Sequence, residues 1–165
     1  MTLSTALQAG IEKLQLDDVY LRHSISRCDG DFDPRYTSDF SKLQVQHMHK
    51  IRESSIAELT GDDRLLRIYI ELGIRWVEPT DNPDEPNVLA LIEAEFVTSY
   101  AFQMPLEQES IDEFSLKNAS VHVWPYWREF VSSQAERLRL PRTVLPARQF
   151  TRHDVGMGAE EKKDA

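Results

Sequence analysis

A long run of alternating apolar and polar residues, LLRIYIELGIRW at positions 65–76, lies in the middle of the chain. Its apolar members share one parity: Leu66, Ile68, Ile70, Leu72, Ile74 and Trp76. Successive side chains of a β-strand point to opposite faces of the sheet, so this pattern predicts a long strand with one buried face. The fold should therefore be organised around a sheet.

Three further segments carry the same period. After the proline-rich connection 79–87, residues 88–104 place apolar side chains on even positions and Glu93 and Glu95 on odd ones. Upstream, Val19, Leu21, His23 and Ile25 alternate with polar residues, and residues 43–51 repeat the pattern with His47 and His49 on one face. We predict four strands before position 105.

The period becomes helical after Pro105. Ser110 and Glu113 have the spacing of a capping box, which predicts a helix start at Ser110. A longer helix is predicted from one apolar stripe, with Pro125 in its first turn: Trp124, Trp127, Phe130, Val131, Ala135 and Leu138. Strands followed by helices indicate an α+β fold, a four-stranded antiparallel sheet with a C-terminal helix packed on one face.

The composition of the chain excludes several classes of function. The 165 residues fit one domain, and the formal net charge of −9 disfavours binding to nucleic acid. The lone cysteine, Cys28, cannot form an internal disulfide, and the first residues lack the pattern of a signal peptide, so we expect a cytoplasmic protein. No apolar run is long enough for a membrane span, and no cofactor motif is present.

Two groups of side chains raise the question of catalysis. His47 and His49 have the spacing of two metal ligands on a strand, but no third ligand is evident, and we therefore favour packed or interface histidines. Cys28 stands beside Asp29 and Asp31, whose charges oppose thiolate formation. We therefore predict that the protein is not an enzyme.

Aromatic residues stand out in a segment that should form a loop. Residues 28–41, CDGDFDPRYTSDFS, combine Gly30, Pro34 and several acidic residues with Phe32, Tyr36 and Phe40. Aromatic side chains on an irregular surface segment are typical of a binding site for another molecule.

The sequence VWPYWREF at 123–130 resembles the F-P-Y-x-R-E signature that opens the long helix of the SecB export chaperone family, with Trp124 in place of the usual Phe. The resemblance covers about residues 14–150, leaves 1–13 as an N-terminal extension with a short helix, and leaves 151–165 as a flexible polar tail. The extension is similar to that of diverged members that accompany toxin–antitoxin systems.

The resemblance implies an ATP-independent chaperone, a holdase, that binds non-native polypeptide, either preproteins for export or a specific antitoxin. It implies a homotetramer built as a dimer of dimers, with the SecA motor as a further partner. The client-binding residues would be Phe32, Tyr36, Phe40 and Trp76. The subunit interface would be formed by the long helix: Trp124, Tyr126, Trp127, Phe130 and Val131. Two alternatives remain open, a dedicated binder of one folded partner and a metal-dependent enzyme.

Overall fold

The structure is a computed structural model that describes residues 3–147 and 162–163. The helices and strands are, in chain order, α1 (Thr5–Lys13), β1 (Gln15–Cys28), β2 (Gln44–Glu58), β3 (Asp63–Glu78), β4 (Asn87–Gln103), α2 (Gln108–Lys117), α3 (Ala119–Arg137) and the short β5 (Lys162–Lys163). The predicted polar tail, 151–165, lies outside the described residues except for β5.

All strand pairs are antiparallel, in the order β1-β4-β3-β2-β5. Short turns join β2 to β3, whereas β1 reaches β2 through a longer connection, residues 29–43, which we call the crossover loop. This loop must pass from one edge of the sheet to the other, as in a Greek key. The four predicted strands and their antiparallel arrangement are confirmed.

The core lies between the sheet and α2 and α3. The even-numbered side chains from Leu66 to Trp76 in β3 and from Ala90 to Phe102 in β4 face the helices and are almost fully buried, as their alternation predicts. Aromatic rings meet edge to face across this layer, Tyr100 with Phe114 at 4.8 Å between centroids and Phe96 with Phe130 at 6.2 Å. The predicted packing of the long helix on one face of the sheet is confirmed.

The prediction that one face of β1 carries Val19, Leu21, His23 and Ile25 is wrong. A β-bulge between Leu21 and His23 leaves Arg22 without a partner in the register. Leu21 therefore pairs with Phe96 on the helix side, whereas His23 pairs with Glu95 on the opposite side. One extra residue moves every later side chain to the other face.

Two helix starts also differ from their predictions. The N-cap of α2 is Glu107, because buried Leu106 anchors the chain just before it, so Ser110 lies inside the helix and forms no capping box. Pro125 lies within α3 rather than in its first turn. Proline has no N–H to donate to the carbonyl of Val121, and Val121 is 42% exposed.

Helix α1 packs closely on α2 at Gly10. A β-carbon at this position would lie 2.9 Å from the Ser110 carbonyl oxygen and 3.0 Å from Cβ of Phe114. The Ser4 hydroxyl caps α1 at the Leu7 amide and donates to the Glu113 carboxylate of α2. The short helix expected within residues 1–13 is thus held against the body of the fold.

The second face of the sheet has no helix among the described residues and is charged. Glu95 of β4 binds Arg22 of β1 at 3.3 Å and Arg52 of β2 at 2.6 Å, and both guanidinium groups lie 5.3 Å from the ring centre of Tyr69. The hydrogen bond to Glu95 raises the pKa of Arg52. Glu95 therefore links three strands, and its side chain is only 12% exposed.

Candidate functional site

The crossover loop presents its three aromatic residues at different depths. Phe32 packs partly buried against the core, Phe40 is half-buried, and Tyr36 is 78% exposed. A 3₁₀ turn at Pro34–Tyr36, whose Pro34 is buried, places the Tyr36 ring outward. The loop is therefore anchored from below and displays one ring fully to solvent.

Acidic side chains surround these rings and order the loop. Asp33 accepts a hydrogen bond from the Arg35 amide at 2.9 Å, and Asp39 accepts from the amide and hydroxyl of Ser41 at 2.9 and 2.5 Å. The two bonds from Ser41 lower the pKa of Asp39. The Arg35 guanidinium lies 5.5 Å from the ring centre of Tyr36. The exposed ring thus sits on a locally ordered, largely anionic surface.

Trp76 lies below this loop rather than on the surface. In the register it pairs with Val45 on one side and with Ala90 on the other, and Ala90 pairs in turn with Cys28. The crossover loop begins and ends at this same end of the sheet. Trp76 is 4% exposed. Of the four predicted client-binding residues, the chain brings Phe32 and Trp76 into one core and leaves Tyr36 as the exposed member.

Cys28 behaves as predicted for a structural thiol. Partial burial raises the pKa of Cys28, and the charges of Asp33 and Asp29 raise it further. Asp31, which the sequence suggested, is not among the causes.

Strand β1 supplies apolar surface that the sequence did not predict. It forms an edge of the sheet, and no strand within the described residues pairs with its outer side. Leu16, Tyr20 and Leu21 are 49, 41 and 43% exposed. An edge strand offers free N–H and C=O groups to any extended chain, so β1 combines main-chain donors and acceptors with apolar contacts.

The predicted interface residues of α3 divide into two groups. Trp127 and Val131 are at most 1% exposed within their own chain, Trp124 is 7% exposed, and Phe130 packs on Phe96. Tyr126 is 50% exposed. Contacts within one chain therefore bury most of the apolar side chains that were predicted to form the subunit interface. Of the predicted interface residues, Tyr126 is the one whose side chain remains available to a second copy.

Two residues of the signature at 123–130 hold the chain that follows α3. Residues 138–147, which we call the return segment, contain no helix or strand. The indole Nε1 of Trp124 donates to the Pro146 carbonyl at 2.8 Å, and Nε of Arg128 donates to the Leu145 carbonyl at 2.6 Å. The signature therefore fastens the return segment along one flank of α3.

The two histidines considered as metal ligands are not part of such a group. His47 and His49 share a face of β2 as predicted, and Nε2 of His49 lies 2.7 Å from the Ser120 hydroxyl at the start of α3. Within residues 3–147 no cluster of three histidine, cysteine or acidic side chains is placed to hold a metal ion. Over the same part of the chain, no helix is long and apolar enough to cross a membrane.

A further histidine fixes α3 to the sheet. Nδ1 of His122 lies 2.8 Å from the Tyr100 hydroxyl, and burial raises the pKa of Tyr100 to about 12, so Tyr100 retains its proton. Burial also lowers the pKa of His122. This pair could not be predicted from the sequence, because His122 is an isolated polar residue on a helix.

This pair predicts a pH dependence of stability. Because the pKa of His122 is lower in the folded chain than in the unfolded one, its contribution to stability is present above about pH 6.5 and is lost as the pH falls through the folded value. Urea unfolding between pH 7.5 and 5 should show this loss, and His122→Gln should reduce it. His23→Gln, a change at an exposed histidine of β1, should leave it unchanged; equal curves for wild type and His122→Gln would contradict the prediction.

Comparison with known proteins identifies one informative likeness. No protein-family model matches the chain, and no curated protein sequence matches it. Among solved structures, the Rv1957 SecB-like chaperone of Mycobacterium tuberculosis, in complex with a ChAD peptide from the Rv1956 HigA1 antitoxin, matches with a TM-score of 0.60 at 18% identity. The match covers 87% of this chain and 96% of that one.

A second structure, a protein of unknown function from Streptococcus agalactiae, matches with a TM-score of 0.39 at 9% identity, over 81% of this chain and 97% of that one. That likeness is too weak to support an argument. The match to the mycobacterial protein, in contrast, has a TM-score above 0.5 over most of both chains. The chain therefore has the SecB-like fold that its signature helix predicted.

Proposed function

We propose that the protein is an ATP-independent holdase that binds non-native polypeptide and makes or breaks no covalent bond. The observation that carries the proposal is the exposed Tyr36, mounted on an anchored loop that leads directly from the free edge of β1. An extended client could pair its main chain with β1 and place an apolar side chain against Tyr36. The similar mycobacterial chaperone binds a peptide of an antitoxin, which supports a polypeptide client.

The charge of the site favours a particular kind of client. Four aspartates lie in or beside the crossover loop: Asp29, Asp31, Asp33 and Asp39. The chain as a whole carries a formal charge of −9. Segments that combine apolar and basic residues should therefore associate faster than acidic ones, and the preference should weaken with salt.

Light scattering tests the proposal. The protein should suppress the aggregation of reduced insulin, and Tyr36→Ser should require about tenfold more protein for the same effect, because an aromatic anchor at the centre of a binding site typically contributes more than 1 kcal/mol. Ser38→Ala, in the same loop, is the matched control and should act like wild type. Unchanged aggregation with an excess of the wild-type protein would refute the proposal.

The identity of the client is the second part of the proposal. A dedicated chaperone would bind an unfolded antitoxin far more tightly than an unfolded preprotein, whereas an export chaperone would bind the two with similar affinity. Parallel titrations with both classes of client separate these functions. Association with the SecA motor would accompany the second result.

We also propose a cytoplasmic homotetramer, built as a dimer of dimers. The exposed Tyr126 of α3 is one surface available to a second copy, and a dimer of dimers requires a second surface separate from it and from the client-binding edge of β1. The mass in solution should then be about four times the 19.1 kDa of one chain. A monomer at micromolar concentration would contradict this part while leaving client binding intact.

A further inference from the structure

The return segment is bound in the manner of an extended peptide. Going back along α3 from Leu138 to Trp124 covers about 21 Å at the rise of an α-helix. The eight residues 139–146 reach at most about 26–29 Å when fully extended. The segment therefore runs largely extended and antiparallel to α3, which brings its carbonyl groups to Trp124 and Arg128.

Helix α3 contacts the return segment mainly through the main chain of that segment. Both hydrogen bonds end on backbone carbonyl oxygens, those of Leu145 and Pro146. A backbone carbonyl is present at every residue of every polypeptide, so the two donors, Trp124 and Arg128, do not select a particular side chain at those positions.

One side chain provides the apolar anchor. Leu145 is 4% exposed and belongs to the same buried cluster as Trp124 and Leu140, whereas its neighbour Val144 is 60% exposed. Successive side chains thus point in and out, as they do in an extended chain. The flank of α3 is a groove that holds one apolar side chain and the main chain beside it.

We infer that this groove, formed by Trp124, Arg128 and the cluster around Leu145, is a binding site for extended apolar polypeptide. In the free protein the return segment occupies it in the same chain. A client segment with an apolar residue in the position of Leu145 would displace the return segment and take over its two hydrogen bonds. This inference rests on the proposed holdase function for its client, but not for the occupancy of the groove.

Occupancy by the return segment should lower the apparent affinity for a client. A segment joined to its site by a short linker has a high effective concentration, commonly in the millimolar range. A competing polypeptide binds only to molecules whose groove is open, so its apparent Kd equals the intrinsic Kd divided by the fraction of open molecules. Weakening the anchor should therefore strengthen binding in trans.

The experiment uses the full chain and a fluorescent peptide with the sequence of residues 139–147, RLPRTVLPA. Leu145→Ser removes the anchor and leaves the groove intact. Val144→Ser, one residue earlier and exposed, is the matched control. Fluorescence anisotropy should show that the peptide binds Leu145→Ser at least about tenfold more tightly than wild type or Val144→Ser, since loss of the buried leucine opens the groove.

Two further measurements fix the site. A peptide with Asp in place of the leucine that corresponds to Leu145 should not bind the Leu145→Ser variant. Adding Trp124→Phe to this variant should weaken binding of the original peptide, because phenylalanine has no N–H to donate. Equal affinity of the peptide for wild type and Leu145→Ser would overturn the inference. If Leu145→Ser does not fold by circular dichroism, Leu145→Ala, which keeps a small apolar side chain, replaces it under the same criteria.

The client arm separates this inference from the proposed function. Leu145→Ser should suppress insulin aggregation at lower concentration than wild type. If neither protein suppresses aggregation but the peptide still binds the variant, the holdase proposal fails and the groove stands. If both suppress it equally and the peptide does not distinguish them, the groove fails and the holdase stands.

Discussion

Replacing Trp127 with alanine is expected to lower the free energy of unfolding by about 3–5 kcal/mol, the usual cost of removing a large buried aromatic side chain. Trp127 is 1% exposed and stacks on Phe130, which in turn packs on Phe96 of the sheet. The cavity would lie between α3 and β4, where little can move to fill it. Urea unfolding followed by circular dichroism measures the change.

The same experiment distinguishes a core residue from an interface residue. If Trp127 acts within its own chain, the loss should be the same at every protein concentration, whereas a subunit contact makes stability depend on concentration. Tyr126→Ala is the matched variant, one residue away and half exposed. It should cost less than about 1 kcal/mol in the monomer. A concentration-dependent loss confined to Trp127→Ala would show that Trp127 lies between subunits.

Replacing Gly10 with valine is expected to detach α1 from α2. A β-carbon would lie 2.9 Å from the Ser110 carbonyl oxygen, a backbone atom that cannot move aside without shifting α2. Overpacking of this kind costs about 1–3 kcal/mol, and separating the helices would also expose Leu7, which is 6% exposed in the intact fold. Limited proteolysis should cut the variant within the first 14 residues well before wild type.

A change on the opposite side of α1 provides the control. Gln8→Val introduces the same β-branched side chain into the same helix, but Gln8 is exposed. Its cost should be limited to helix propensity and the loss of the exposed hydrogen bond from Gln8 to Glu12, together about 1 kcal/mol or less, with proteolysis close to that of wild type. Equal protection of Gly10→Val and wild type would contradict the close packing of α1 on α2.

The strands could be predicted from sequence because one face of the sheet is packed completely. The even-numbered residues 66–76 of β3 and 90–102 of β4 are all buried, so burial and alternation coincide on that face. In β1 they do not, since the bulge at Arg22 changes the parity and half of the strand faces solvent. The period of apolar residues indicates which side chains share a face of a strand, but it does not indicate which strands are its neighbours in the sheet. The free edge of β1 depends on its distant pairing with β4.

The candidate site could also be predicted in part from the local pattern of residues. Breaker residues around Phe32, Tyr36 and Phe40 indicated a loop, and the structure has that loop. The prediction that Trp76 belongs to the binding surface conflicts with the alternation of β3, because the same alternation places Trp76 on the buried face. The fastening of the return segment by Trp124 and Arg128 had no sequence signal, because main-chain carbonyl acceptors look the same in every residue.

The neighbouring position of β1 and β4 has a consequence for how this protein is made. Strand β1 can pair with β4 only after residues 87–103 have been synthesised, and pairings so far apart in sequence form slowly. During that interval nascent β1 exposes Leu16 and Leu21 together with both of its hydrogen-bonding edges. A newly made copy is thus itself an unfolded polypeptide of the kind that a finished copy would bind, and its biosynthesis should benefit from molecules already folded.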